Sequence, residues 1–333
     1  MPNDTTTDKN PQVCNINDFI QKSTTKRSDI DRAVMLAENV MKETRISSMA
    51  NCGNFLTFLH DKEFSKTKLE TGFFCENRLC PGCAWRKAAH DAVEISCILQ
   101  AAVDDGNELY FATLTAESVP ADQLTQAVRD YSNAYTEMMR RVGTASIAGT
   151  IRKIEITYNP KENWYHPHIH SVWIVPRGWA RTKKYISANR LADMWRKSLQ
   201  GKYAVSAAAQ DVRRVKTARK EDILEFSKYP AKSGDYLYNA ETFNAFYHAL
   251  RGTRLITFLR KARELKRAYK HGLLDSYKEP DLTEYYYRSM WLWSRDSRQY
   301  TLHELQTLEN PMIFGTKDTD EAGGEENANA PDH

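Results

Sequence analysis

Glycine and proline are scarce, 14 and 11 in 333 residues, which excludes a collagen-like chain or one built mainly of linkers. No stretch approaches the ~20 consecutive apolar residues of a membrane-spanning helix. The opening MPNDTTTDKNPQ has no apolar run of the kind that marks a secretory leader, so a cytoplasmic compartment is the expectation. An excess of one charge is also missing: 47 Lys plus Arg stand against 43 Asp plus Glu, and a net of +4 names no partner. The six cysteines are too few for a disulfide scaffold. In a reducing compartment, clustered cysteines read first as metal ligands. What is there, 41% hydrophobic and 27% charged residues, is the make-up of one large or two modest globular domains.

Residues 1–28 are polar and aperiodic and read as a disordered tail. Ser28 with Asp31 resembles a capping box opening a helix with Ile30, Val34, Ala37 and Met41 on one face. Together with a second amphipathic helix from Ala84 to Val103 and the cysteines between, this makes a helical, metal-binding module at 29–103. The pattern then changes. Asn107–Thr115, Gly149–Tyr158, His168–Val175 and Tyr203–Val215 read as strands, with helices after Pro120 and from Ser187 to Leu199. The resulting β-α-β-β-α-β order over residues 104–240 is the ferredoxin-like arrangement: a central antiparallel sheet with helices on one face and the other free for a ligand. A helix at Ala218–Lys228 follows. Residues 241–315 read as C-terminal helices, broken near Gly252, with an aromatic stretch around Tyr285–Trp293. Residues 316–333 are acidic and structureless. The expected fold class is α+β.

Cys75, Cys80 and Cys83 form C-x4-C-x2-C, with Cys52 upstream. Two thiolates in a CPGC turn can point at one ion, and four thiolates close a tetrahedral Zn²⁺ shell, the signature of a structural site. His60 is the substitute ligand for Cys52. A redox C-x-x-C would sit between a strand and a helix of a thioredoxin fold; the two further cysteines upstream favour zinc. Cys14 and Cys97 have no metal spacing and read as plain thiols.

The sharpest local feature is Tyr165-His166-Pro167-His168-Ile169-His170. Residues i and i+2 of a strand share a face, so His168 and His170 form half of a divalent-metal site with Ile169 turned to the core. Two candidates remain for a further ligand: His166, of the same parity, and Glu155, placed opposite if 150–158 and 168–175 form a hairpin. Downstream, Glu225 and Tyr229 stand one helical turn apart, Pro230 ends that helix, and Lys232 completes Y-x-x-K. A phenol is a poor nucleophile near neutrality and needs a metal-polarised electrophile and a positive neighbour.

In this order the motifs resemble the rolling-circle replication initiator (Rep) proteins of small bacterial plasmids, in the HUH endonuclease superfamily. His168-Ile169-His170 matches the His-hydrophobic-His signature, Phe111–Thr115 the strand ending in Leu-Thr, and Tyr229 with Lys232 the tyrosine motif. The cysteines followed by a basic helix, and Arg254-Leu255-Ile256, match the single-tyrosine plasmid group. The resemblance implies an HUH nuclease core at 104–240 that binds plasmid origin DNA, both a duplex site and a single-stranded hairpin loop. A Mn²⁺ or Mg²⁺ ion held by His168, His170 and Glu155 or His166 would polarise the scissile phosphate. Tyr229 would attack it, leaving a 5′-phosphotyrosine and a 3′-OH primer. Lys232 would stabilise the phenolate, and Glu225 would act as general base in hydrolytic termination. A host helicase and polymerase are the implied partners. Tyr236 and Tyr238 are rivals for a second tyrosine.

Two basic clusters suit phosphate contacts: Arg213, Arg214, Lys216, Arg219 and Lys220, then Arg251, Arg254, Arg260, Lys261, Arg263, Lys266, Arg267 and Lys270. Residues 316–333 carry six acids and one base, leaving 46 bases against 37 acids in residues 1–315. The near-neutral chain is thus a basic body with an acidic tail. The competing readings are a single-strand transposase or relaxase of the same superfamily, and a zinc-dependent DNA-binding regulator without catalysis.

Overall fold

The computed structural model describes residues 13–14, 16–215 and 233–314. Lys216, Arg219, Lys220, Glu225, Tyr229, Lys232 and the helix expected at 218–228 therefore lie outside the described residues, as does the acidic tail.

In chain order the elements are β1 (Val13–Cys14), α1 (Ile16–Ala37), α2 (Glu43–Ala50), β2 (Phe55–His60), β3 (Thr67–Gly72), α3 (Pro81–Asp104), β4 (Asn107–Thr115), α4 (Ala121–Val142), β5 (Gly149–Asn159) and β6 (Trp164–Pro176). Then come α5 (Ala188–Ser198), β7 (Asp211–Arg214), α6 (Ser233–Tyr236), α7 (Ala240–Leu250), β8 (Ile256–Arg260), α8 (Lys261–Lys270), β9 (Tyr285–Ser294) and β10 (Gln299–Met312). They sort into two compact units. One comprises residues up to Ala84 and from Glu279 onward, the other Trp85–Lys278. No helix among the described residues is long and apolar enough to cross a membrane.

The first unit holds an antiparallel sheet of order β1-β3-β2-β9-β10. Its helix α1 begins at Ile16, ahead of the expected start at Ser28. Ser28 does not cap a helix; its hydroxyl donates to the Thr24 carbonyl within α1, as a mid-helix serine does. The aromatic stretch from Tyr285 is strand β9, paired with β2 and β10. Aromatic side chains fit a pleated, half-buried surface, so the C-terminal segment expected to be helical, with an aromatic stretch, contributes a long hairpin as well as helices.

The second unit is built on a sheet of order β7-β4-β6-β5-β8, with every neighbouring pair antiparallel. On one face, Tyr135 of α4 hydrogen-bonds Ser171 at 2.6 Å, and Arg152 of β5 donates to Ser132 of α4 at 2.6 Å. On the other face, Leu109, Ile151 and Val172 join Ile95, Ile98, Leu99 and Ala102 of α3 with Phe258 and Ala262 in one buried core. Gly149 is required there: a Cβ would lie 2.7 Å from the Ala262 amide at the start of α8. Two expectations are corrected. The helix read across 241–270 contains strand β8, because Gly252 (φ +69°) ends α7 and the β-branched and aromatic run Ile256-Thr257-Phe258 pairs with β5. The strand read over 203–215 shrinks to Asp211–Arg214, preceded by a 3₁₀ turn at Ala207–Ala209, since alanine is a poor strand former. The fold is mixed α+β with antiparallel sheets.

Candidate metal centres

The histidines lie on β6, the central strand of their sheet. Glu155 of β5 is directly opposite His168, and Lys153 is opposite His170. On the other side, Thr115 and Thr113 of β4 face the same two histidines. Strand β6 runs through Pro167, ahead of the start expected at His168. Its partner β4 ends at the Thr115–His168 pair, so the amide that proline lacks falls beyond the β4 ladder. Ligand atoms of Glu155, His168 and His170 lie within 4.8 Å of one another. The Nε2 atoms of His170 and His168 stand 3.4 and 3.9 Å from Glu155 Oε2.

The proton positions suit a cation. His168 Nδ1 lies 3.2 Å from the His166 carbonyl oxygen, which can only accept, so the neutral ring carries its proton on Nδ1 and turns the Nε2 lone pair toward Glu155. Burial, then the neighbouring His170, lowers the His168 pKa to about 4. Burial pushes the Glu155 carboxyl up, but the His170 hydrogen bond and the charges of Lys153, His168 and His170 more than reverse this and hold it at about 2. Two imidazoles and one carboxylate are a donor set for a divalent ion. His166 is engaged elsewhere: Nε2 meets Thr115 Oγ1 at 2.7 Å and Nδ1 meets Ser118 Oγ at 3.3 Å. Of the two candidates for the further ligand, the structure brings Glu155 to the pair.

Lys153 is the residue that sequence reasoning passed over. Its side chain is 0% exposed, with Nζ 3.5 Å from Glu155 Oε2. The signal was the alternation Lys153-Ile154-Glu155-Ile156, which puts lysine and glutamate on one strand face. Removing one member of a buried ion pair strands the other charge. Glu155→Ala should therefore destabilise the chain by about 3–5 kcal/mol in urea denaturation, and Lys153→Met in the same chain should recover most of the loss. A Glu155→Ala chain as stable as wild type would show that the pair contributes nothing.

The second centre gathers Cys52, Cys75, Cys80 and Cys83. The Sγ separations are 3.5 Å for Cys52–Cys83, 3.5 Å for Cys52–Cys80 and 3.7 Å for Cys75–Cys83. All four are free thiols. Ligands about 2.3 Å from a tetrahedral ion stand about 3.8 Å apart, so the cluster has the dimensions to hold one. Hydrogen bonds from the other three lower the Cys52 pKa, and the same crowding, with Cys52 the largest cause, raises Cys75 and Cys80. At Cys83 the hydrogen bond with Cys52 pushes the pKa up, but those with Cys75 and Cys80 outweigh it and lower it; a cation would compensate the charge of all four ionised together. The surroundings are built for this. Arg27 donates to the Cys52 and Ala50 carbonyls, each at 2.6 Å. Gly53 takes φ +74°, with Tyr300 Oη 3.0 Å from where a Cβ would be. His60, the proposed substitute, hydrogen-bonds Thr67 and Ser289 and lies outside the cluster.

A family model described as Replication protein matches residues 66–301. The chain belongs to the Replication protein family. Among its relatives, Protein rep of Staphylococcus aureus is 35% identical over 201 residues, 59% of this chain and 86% of that protein. Protein rep of Streptococcus pneumoniae is 30% identical over 196 residues, 57% of this chain and 61% of the relative. Protein rep of a Bacillus species is 31% identical over 215 residues, 57% of this chain and 67% of the relative. No solved structure matches the chain. The resemblance read from the motifs thus holds at the level of the Rep family.

In this replication protein the basic clusters divide by environment. The Arg213 guanidinium sits 5.1 Å over the Phe111 ring, which stacks on His170 at 5.4 Å. Arg251, Arg254, Arg263, Arg267 and Lys270 are exposed. Arg260 instead donates to the Ile147 and Met139 carbonyls, closing the C-terminal end of α4. Lys261 pairs with Asp105 at 3.0 Å and Lys266 with Glu94 at 2.9 Å. These last three have structural partners within the second unit.

Proposed function

We propose that this chain is a plasmid rolling-circle replication initiator that nicks one strand of its origin by tyrosine transesterification. The observation that carries this reading is the convergence of His168, His170 and Glu155 on one sheet face in a chain of the Replication protein family. The strand order β7-β4-β6-β5, with β4-α4-β5-β6-α5-β7 connectivity, supports a ferredoxin-like HUH core within 104–240. His168, His170 and Glu155 would hold Mn²⁺ or Mg²⁺, which when bound supplies positive charge at the scissile phosphate. Arg213 stands beside His170 through Phe111 and places a cation for the adjoining backbone phosphate. The Tyr229 phenolate oxygen forms the new bond to phosphorus. The 3′ oxygen leaves and takes a proton, giving a 5′-phosphotyrosine and a free 3′-OH. One phosphodiester replaces another, so no nucleotide cofactor is required. Lys232 steadies the phenolate, and Glu225 takes a proton from water when the linkage is hydrolysed at termination. The four cysteines hold a structural Zn²⁺.

The test is direct. Wild-type protein incubated with a labelled origin hairpin strand and Mn²⁺ should form an SDS-stable complex, and EDTA should abolish it until the metal is restored. Binding without any adduct would replace the enzyme by a DNA-binding regulator, and an adduct that survives EDTA would remove the metal from the mechanism.

A further inference from the structure

Behind the β4–β7 edge lies a cavity of about 390 Å³ lined by Glu108, Tyr110, Arg177, Arg181 and Arg214, with Gly178 and Ala180. It sits on the sheet face opposite the histidines. Strand parity turns Phe111, Thr113 and Arg213 to the histidine side, while Tyr110 and its cross-strand partner Arg214 face the other way. Its charge is lopsided. Glu108, the one carboxylate among the lining residues, pairs with Arg214 at 3.0 Å. Arg177 and Arg181 are exposed and make no side-chain hydrogen bond or ion pair among the described residues. Two nearby bases are committed elsewhere: Lys184 of the loop donates to the Ala145 carbonyl, and Arg190 of α5 to the carbonyls of Lys183 and Tyr185.

The loop that carries Arg177 and Arg181 is anchored at Trp179 and Thr182. Gly178 adopts φ +76° and turns the chain out of β6. Trp179 is buried against Tyr110 (ring centroids 4.9 Å apart), Tyr185 (5.0 Å) and Trp173 (6.1 Å), and its Nε1 donates to Ser146. The Thr182 hydroxyl closes the turn on the Trp179 carbonyl at 2.8 Å. Guanidiniums held on a stapled loop around a concave, charge-unbalanced cavity fit a phosphodiester, which accepts the bidentate fork of arginine.

We propose that this cavity binds the backbone of single-stranded DNA, holding the strand where it rounds the β7 edge from the histidine face. Arg213 and Arg214, neighbours on β7 that point to opposite faces, carry the strand across that edge. A concave site of this size takes a lone strand lowered into it, whereas the phosphates of a duplex stand on a convex ridge. The proposal rests on the DNA-nicking reading and adds a site on the opposite face of the sheet.

The experiment compares wild type with Arg177→Gln/Arg181→Gln, using the full chain and an oligo-dT strand over a salt series. Both positions are exposed, so the fold is preserved. The variant should bind the strand about tenfold more weakly at low salt. Its slope of log affinity against log salt should be shallower by about 1.4, roughly 0.7 for each lost single-strand contact. Glu108→Gln, which removes the carboxylate and frees Arg214, should tighten strand binding about two- to fivefold. An unchanged affinity and slope in the double variant would overturn the site, as would a loss confined to duplex DNA. Displacement of the strand from wild type by inorganic phosphate at matched ionic strength, absent in the double variant, would reassign the cavity to free phosphate. Adduct formation with saturating origin strand should be the same in wild type and variant. Failure of the adduct in wild type itself would sink the nicking reading, separately from the cavity.

Discussion

Tyr229→Phe should form no SDS-stable adduct with an origin strand while binding that strand within about twofold of wild type. The substitution removes one oxygen and keeps the ring, so packing and stacking survive and only the attacking atom is lost. Deleting the nucleophile of a covalent mechanism lowers turnover by several orders of magnitude, and a fall of on the order of 10³-fold or more is expected here. The nearby tyrosines sharpen the comparison. Tyr236 is 1% exposed and packs at a tilt against Phe243 and Phe246, so it has no access to a strand. Tyr238 is 49% exposed and tilts against Tyr158 at 5.5 Å. Tyr238→Phe should leave the adduct at wild-type level. An adduct that persists in Tyr229→Phe and disappears in Tyr238→Phe would move the nucleophile nine residues downstream and break the Y-x-x-K assignment.

The histidine centre was legible because its information is local. Strand parity alone puts His168 and His170 on one face, and the alternation in Lys153-Ile154-Glu155-Ile156 puts Glu155 on the matching face once β5 and β6 pair as neighbours in the chain. The same parity carries Lys153, which was overlooked because a lysine in a strand is ordinarily an exposed residue. The sheet of the first unit was not legible. Strand β2 pairs with β9 across more than half of the chain, and no local pattern records a partner that distant. Arg260 shows a second limit. In sequence it is one more base in a basic run; in the fold its guanidinium closes the carbonyl end of α4. Charge counting sees where bases are and not what they already hold.

Replacing Cys80 by serine should have the largest effect on stability. Cys80 is fully buried, and its thiol lies 3.5 Å from Cys52. A serine oxygen there is a poor ligand for zinc and leaves a buried hydroxyl among three crowded thiols. Structural zinc contributes roughly 10–16 kcal/mol in small zinc modules, comparable to the whole 5–15 kcal/mol stability of an ordinary domain. Even partial loss of that contribution, about 4 kcal/mol, should lower the melting temperature by roughly 10–20 °C. Wild-type protein should carry one zinc per chain by elemental analysis, and Cys80→Ser should carry none. Cys97→Ser removes a buried thiol outside the cluster and should keep both the zinc and most of the stability. That control separates the metal from burial, because a loss caused by poor packing would strike both variants alike. Wild type isolated without zinc, with a melting temperature that Cys80→Ser leaves unchanged, would leave the four thiols as packing, and the cause of their 3.5–3.7 Å approach would have to be sought in the turn itself: the Cys80 amide bonds to the Asn77 carbonyl at 3.0 Å, and a Cβ at Gly82 would press on Ile30 at 3.1 Å.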